Sequence, residues 1–256
     1  MPPDQRRGIP HHLIDVVEPT EEYTAAKYVR DAVAAIESIY QRGGWPILVG
    51  GTGLYYRALT RGLFPGPAAD AKMRGRLEAI ATRRGVEFLH RMLQRVDAES
   101  ARRILPGDLK RMVRALEVYF LTGQPITAHF ASTVSPLAGL PVVAVALSPP
   151  VSLIAERARK RVDAQFEQGL MDEIRALLAR GVPESARPFG GLVYRQALEL
   201  LHGVRNEADT RELIARENRR YARRQLIWFR KEPNLVWLQT SGESPQALAA
   251  VEALLP

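Results

Sequence analysis

Apolar and polar positions follow two different periods along this chain. Over residues 24–41 apolar side chains recur at helical spacing, which predicts an amphipathic helix. The stretch 13–17 before it predicts a short strand, and the run 46–49 after it (Pro-Ile-Leu-Val) predicts a buried strand leading into Gly50-Gly51-Thr52-Gly53. Strand, helix, strand is the unit of a parallel sheet. Further on, residues 142–147 make an uninterrupted apolar run between Pro141 and Pro149, helical pattern covers 151–180, and 235–238 predicts a last short strand. From about 70 to 130 no strand pattern occurs, and helical periodicity is broken at Gly85, at Pro106-Gly107 and at Gly123-Gln124-Pro125. The organisation read from these patterns is an α/β core built from residues 1–65 and 138–256, with an all-helical insertion over 66–137. No internal repeat or low-complexity stretch interrupts it.

Composition narrows the classes of function. A chain of 256 residues with 46% hydrophobic and 25% charged side chains is ordinary for a folded domain with an inserted subdomain. No apolar run approaches the roughly 20 residues of a membrane span, and the first residues carry no apolar signal core, so a cytoplasmic location is expected. The absence of cysteine excludes disulfides, thiolate metal sites and cysteine nucleophiles. His11 and His12 do not read as metal ligands: adjacent side chains in a strand point to opposite faces, and no third ligand accompanies them.

The net charge of +8 favours a polyanionic partner, and its distribution says more than its total. Residues 205–231 hold nine basic side chains against four acidic ones, in a segment without Gly or Pro that predicts one long helix over 205–232, stopped by Pro233. Tyr221, Trp228 and Phe229 are interleaved with the arginines. That mixture suits phosphate contacts combined with base stacking on single-stranded or loop RNA. It equally fits a solvated helix whose aromatic residues belong to the core, and the segment alone does not decide.

Glycines directly after a parallel strand let the backbone turn tightly and approach a ligand, at the sheet end where open α/β folds bind substrates. Gly50, Gly51 and Gly53 stand in that position, although plain turn chemistry would also use them. No G-x-x-x-x-G-K-[ST] phosphate loop is present in the sequence.

Taken together, several blocks resemble one family. His11-His12-Leu13-Ile14-Asp15, Val49-Gly50-Gly51-Thr52-Gly53-Leu54-Tyr55, Arg111 with Arg114-Ala115-Leu116-Glu117-Val118, Tyr194-Arg195-Gln196, and Arg224-Gln225 with Trp228-Phe229-Arg230 occur in the order and approximate spacing of tRNA dimethylallyltransferases. The resemblance implies a P-loop NTPase-like parallel-sheet core related to nucleotide kinases, with a helical insertion that clamps the anticodon arm. It implies transfer of a dimethylallyl group from dimethylallyl diphosphate to the exocyclic amine of the adenosine beside the anticodon, with Mg2+, by a monomer. Departure of diphosphate from an allylic carbon builds negative charge on phosphate oxygens, which cationic groups stabilise. Arg157 and Arg161 resemble the family's R-x-x-x-R segment near the diphosphate; surface pairing with Glu156 or Asp163 is the other reading of the same spacing. By the same resemblance the tRNA contacts are Thr52, Arg74, Lys110, Arg111, Arg114, Tyr194, Arg195, Arg223, Arg224, Gln225, Trp228 and Arg230, with Gly50, Gly51 and Gly53 forming the substrate loop.

The family normally begins with a strand, a lysine-containing phosphate loop and an Asp-Ser segment whose Asp meets the attacking amine. This sequence starts at a point corresponding to just after them, which predicts an N-terminally truncated member that lacks essential active-site residues, the general base and the principal diphosphate cradle, and as written has little or no transferase activity. Val193 stands where the family usually has Gly, and Ile227 where it usually has Thr. A catalytically dead remnant that still binds tRNA is therefore the alternative function. A small-molecule kinase shares the expected fold but leaves the arginine-aromatic helix unexplained.

Overall fold

A computed structural model describes residues 6–64 and 66–255 of the chain. They form two compact units, one comprising residues up to Tyr56 together with those from Gly139 onward, the other comprising Arg57–Ala138.

The first unit opens with α1 (Ala25–Gln41), which starts where the Thr24 hydroxyl accepts a hydrogen bond from the Lys27 amide. Helix α2 (Gly53–Arg61) begins at the end of the glycine loop and carries on into the second unit. After the second unit come β1 (Ala144–Leu147), α8 (Val151–Glu167), α9 (Leu170–Ala179), a 3-10 turn (Arg187–Gly190), α10 (Leu192–Leu201), α11 (Glu207–Phe229), β2 (Leu235–Leu238) and α12 (Pro245–Glu252). The two strands pair in parallel, Ala144 opposite Leu235 through Leu147 opposite Leu238. A parallel pair needs a crossover, and α8 to α11 supply it. Val162 of α8 meets Ile214 and Ala215 of α11, while Leu170 and Ile174 of α9 pack with Val182, Phe189 and Ala197 of the segment leading through α10. The helical pattern over 151–180 is two helices, divided at Gly169 with φ at 91°.

Two predicted strands do not form. Residues 13–17 turn repeatedly, with Leu13 and Asp15 at φ of 62° and 54°, a backbone that no strand accommodates. Residues 46–49 remain outside any sheet, and Ile47 and Val49 are 85% and 94% exposed rather than buried. An extended segment becomes a strand only when a neighbour takes up its backbone groups. Among the described residues the sheet consists of β1 and β2 alone, so the protein is a mixed α/β structure with a small parallel sheet and many helices.

The second unit, beyond the end of α2, contains α3 (Ala71–Arg84), α4 (Val86–Val96), α5 (Ala98–Arg103), α6 (Leu109–Thr122) and α7 (Ile126–Phe130). Its core joins Leu77 and Ala81 of α3, Leu89 and Leu93 of α4, Ala101 of α5 and Ile126 of α7 around Met112, Val113, Ala115, Leu116 and Val118 of α6. Helix α6 is therefore buried on most of its circumference. Asp97, also buried, caps α5 by accepting from the Ser100 amide and hydroxyl, and reaches α7 by accepting from the Thr127 amide and hydroxyl. Burial works to raise the Asp97 carboxyl, but those hydrogen bonds outweigh it and hold it below the usual carboxylate range.

A carboxylate held low in the folded state stabilises the fold fully above its unfolded-state pKa of about 3.9, and that contribution is lost as pH falls through the lower folded value. Asp97→Ala should lower stability in urea by about 2–3 kcal/mol, since it removes a cap and strands buried donors. The loss should shrink below pH 4 as the parent protonates (about one unit around the reference pKa). Urea titrations of both proteins across pH check the size and the sign.

Candidate functional site

The glycine loop and the long basic helix meet. Gln225, on the inner side of α11, donates its Nε2 to the Gly51 carbonyl at 2.8 Å. One turn later Trp228 lies against Gly53, and Phe229 meets Tyr56 of α2 edge to face at 5.6 Å between ring centroids. These residues recur at i, i+3 and i+4 and therefore share one face of the helix.

The glycines are required by that approach. A Cβ at Gly51 would overlap the Gln225 amide, and one at Gly53 would overlap the Trp228 ring, whereas Gly50 has nothing within 4 Å of where its Cβ would stand. The amide of Gln225 can swing aside more cheaply than an indole can, so Gly53 is the tighter constraint. Thr52, between them, is exposed, and its carbonyl accepts the Tyr56 amide as α2 begins. On the far side of α2, Tyr55 stacks on Tyr28 of α1 at 4.2 Å and 9°. Tyr23 stands edge-on to Tyr55 and donates to Asp31 at 3.0 Å; burial, then this bond, push its phenol up to about 12. The loop thus runs into a helix that packs on α1 and on α11 at once.

The other face of α11 is cationic. Arg216, Arg220, Arg223, Ile227 and Arg230 are exposed and spaced four, three, four and three residues apart, which makes a single stripe. Arg220 is paired with Glu217, and Arg211, nearer the N-terminus, with Glu207 and Asp163. Among the described residues Arg223 and Arg224 have no carboxylate within ion-pair distance, and the Arg224 guanidinium lies 5.8 Å from the centre of the exposed Tyr221 ring. A glycine loop leading into a helix, an exposed hydroxyl and uncompensated guanidinium groups are the chemistry of phosphate-rich ligands.

The remaining predicted residues belong to other elements. Arg157 of α8 is bonded to Glu243 at 2.5 Å, while Glu156 pairs with Lys160 and Asp163 with Arg211, so neither predicted surface pair forms; Arg161 is exposed. On α10 the Tyr194 hydroxyl donates to Glu173 at 2.7 Å, with its phenol raised by burial and by that bond, and Arg195 is exposed. In the second unit Lys110 and Arg111 lie exposed on the first turn of α6, Arg111 beside Asp108. Arg74 and Arg114 both hold Glu117, a residue that the sequence had marked as part of a block without giving it a task. A lone acid among apolar neighbours on a core helix was the available signal.

With loop and helix in place, comparison with known proteins fits the geometry. The IPP transferase family profile matches residues 1–232. A tRNA dimethylallyltransferase of Solibacter usitatus is 44% identical over 246 residues, 96% of this chain and 80% of that one, and one of Thermobifida fusca is 44% identical over 237 residues, covering 92% and 73%. The crystal structure of a tRNA isopentenylpyrophosphate transferase from Bacillus halodurans superposes with a TM-score of 0.66 at 31% identity, over 99% of this chain and 80% of that one. A eukaryotic dimethylallyltransferase crystallised while acting on tRNA gives 0.76 at 24% identity, covering 99% of this chain and 65% of that one, a likeness of fold. The family they define is one of transferases. The chain belongs to the IPP transferase family.

The Gly53–Trp228 contact gives a direct check. Gly53→Ala should cost about 1–3 kcal/mol in urea unfolding and alter near-UV circular dichroism, because the indole has to move. The same change in a Trp228→Ala background should cost clearly less, and Gly50→Ala should be nearly neutral.

Proposed function

We propose that this protein transfers a dimethylallyl group from dimethylallyl diphosphate to the exocyclic amine of the adenosine beside the anticodon of tRNA. The observation that carries the reading is the docking of the glycine loop on the inner face of α11 while its outer face presents arginines. One helix thereby links a substrate loop to an RNA-facing surface. In the reaction the allylic carbon–oxygen bond breaks, a carbon–nitrogen bond forms, the amine loses a proton and diphosphate departs. Arg157 and Arg161 on α8 would stabilise the departing oxygens, Arg157 by exchanging Glu243 for phosphate, and Thr52 would orient the amine-bearing nucleotide. Lys110, Arg111, Tyr194, Arg195, Arg223, Arg224 and Arg230 would hold the RNA backbone while the base is extruded. The core in this reading is a P-loop-type sheet.

Mg2+ fits as a companion of the diphosphate. Among the described residues no three His, Asp or Glu side chains are grouped to hold a metal ion. Magnesium needs no such cage, since phosphate oxygens and water supply most of its coordination and one or two carboxylates suffice. Bound, it would neutralise phosphate charge; no residue of this chain is assigned to it.

Incubation with dimethylallyl diphosphate, Mg2+ and unmodified tRNA, followed by nucleoside mass spectrometry, tests the reaction. Dimethylallyl adenosine is the expected product. Tight tRNA binding without product would favour the noncatalytic alternative, and absence of both would overturn the reading. For the RNA surface, Arg223→Ala with Arg224→Ala should weaken tRNA binding and reduce the log-log salt slope by about one to two units. A filter-binding salt titration with an unchanged slope would remove α11 from the interface.

A further inference from the structure

The helical unit keeps one carboxylate out of reach of water. Glu117 of α6 is 0% exposed, among the buried apolar residues Met112, Val113, Ala115, Leu116 and Val118 of the same helix. Its Oε1 accepts the Asp70 amide at 2.7 Å and Arg74 Nε at 2.9 Å; its Oε2 accepts Arg74 Nη2 at 3.0 Å and Arg114 Nη1 at 2.6 Å. A carboxylate offers about four lone-pair sites, so its capacity is filled. Burial pushes this carboxyl up, but the bonds from Arg74, Arg114 and the Asp70 amide prevail and hold it below the usual range.

Two guanidinium groups share this one carboxylate. The acid has no exposed surface, whereas the Arg74 and Arg114 side chains are 40% and 30% exposed, so both cations reach solvent. Stability alone explains such a triad poorly, because apolar side chains of similar volume often serve as well or better. Apolar side chains cannot fix the planes of two guanidinium groups. Glu117 fixes Arg74 by a bidentate contact. Arg114 is fixed three ways, by Glu117, by donating Nη2 to the Pro67 carbonyl at 3.0 Å, and by the Phe64 ring 5.7 Å away. The segment leading into α3 is tied to α6 through the same groups.

We infer that Glu117 is a positioning residue for RNA binding, holding Arg74 and Arg114 as a preset pair for a phosphodiester of the RNA. The inference rests on the proposed tRNA-binding function and on the role as tRNA contacts that the family resemblance implies for those two arginines. Preset donors lose less freedom on binding than arginines that must first be ordered.

The test uses the full chain and a synthetic anticodon stem-loop RNA. Glu117→Gln keeps the volume but sets an amide N–H2 against guanidinium donors and removes the charge that orders them. It is expected to weaken RNA binding about tenfold, and to have no further effect once Arg74→Ala and Arg114→Ala are present. Equal weakening in both backgrounds would mean a merely structural role and overturn the inference. Full affinity of Glu117→Gln, with the double arginine variant weakened, would also overturn it while leaving the arginines as contacts. Full affinity of the double arginine variant would instead sink the reading on which it rests. Should Glu117→Gln fail to unfold cooperatively, Arg74→Lys decides: it retains the charge but not the bidentate geometry. It should bind nearly as weakly as Arg74→Ala, and parental affinity would overturn the inference.

Discussion

Helix α11 has to be two surfaces at once, and the first unit is arranged around that demand. Its N-terminal half gives Ile214 and Ala215 to Val162 of α8, its C-terminal half gives Gln225 and Trp228 to the glycine loop, and between them Arg216, Arg220, Arg223 and Arg224 are exposed. Packing, loop placement and surface charge are thereby coupled through one rigid rod. A helix so rich in arginine gains little from its own hydrophobic face, so tertiary contacts at both ends hold it.

The helical unit handles buried charge twice in a common way. Asp97 and Glu117 each fill their acceptor capacity with four donors, and in both cases the donors come from segments far apart in the helical unit. Asp97 does this with neutral hydroxyls and amides, which joins α5 to α7 and leaves the carboxylate's negative charge uncompensated by any cation in the cluster. Glu117 does it with two guanidinium groups and the Asp70 amide. One acid serves as a cap and tie; the other holds two arginine side chains in place.

Much of this was legible in the chain, and the failures have physical causes. Thr24 and the periodicity after it announced α1, and the absence of Gly and Pro after Arg205 announced α11 to within two or three residues. The run 46–49 has the composition of a buried strand, yet composition reports what a segment tolerates and not whether a partner strand lies beside it. Residues 13–17 failed for a different reason, since left-handed backbone at Leu13 and Asp15 leaves no mark in hydrophobicity. In the site, the glycine loop and the Gln225–Trp228 pair were each visible, but their contact bridges 174 positions and no local pattern encodes it. Arg74 and Arg114 were read only as tRNA contacts because a sequence shows the charges and hides the acid that holds them.

The outer stripe of α11 is made of arginine at every basic position, Arg216, Arg220, Arg223 and Arg230. A lysine stripe can be silenced by acetylation or weakened when burial lowers an ammonium pKa. Guanidinium groups keep their charge through both, so this face has no chemical off-switch of that kind. Ionic strength and competing polyanions remain the levers on any contact this face makes with a phosphate-bearing partner.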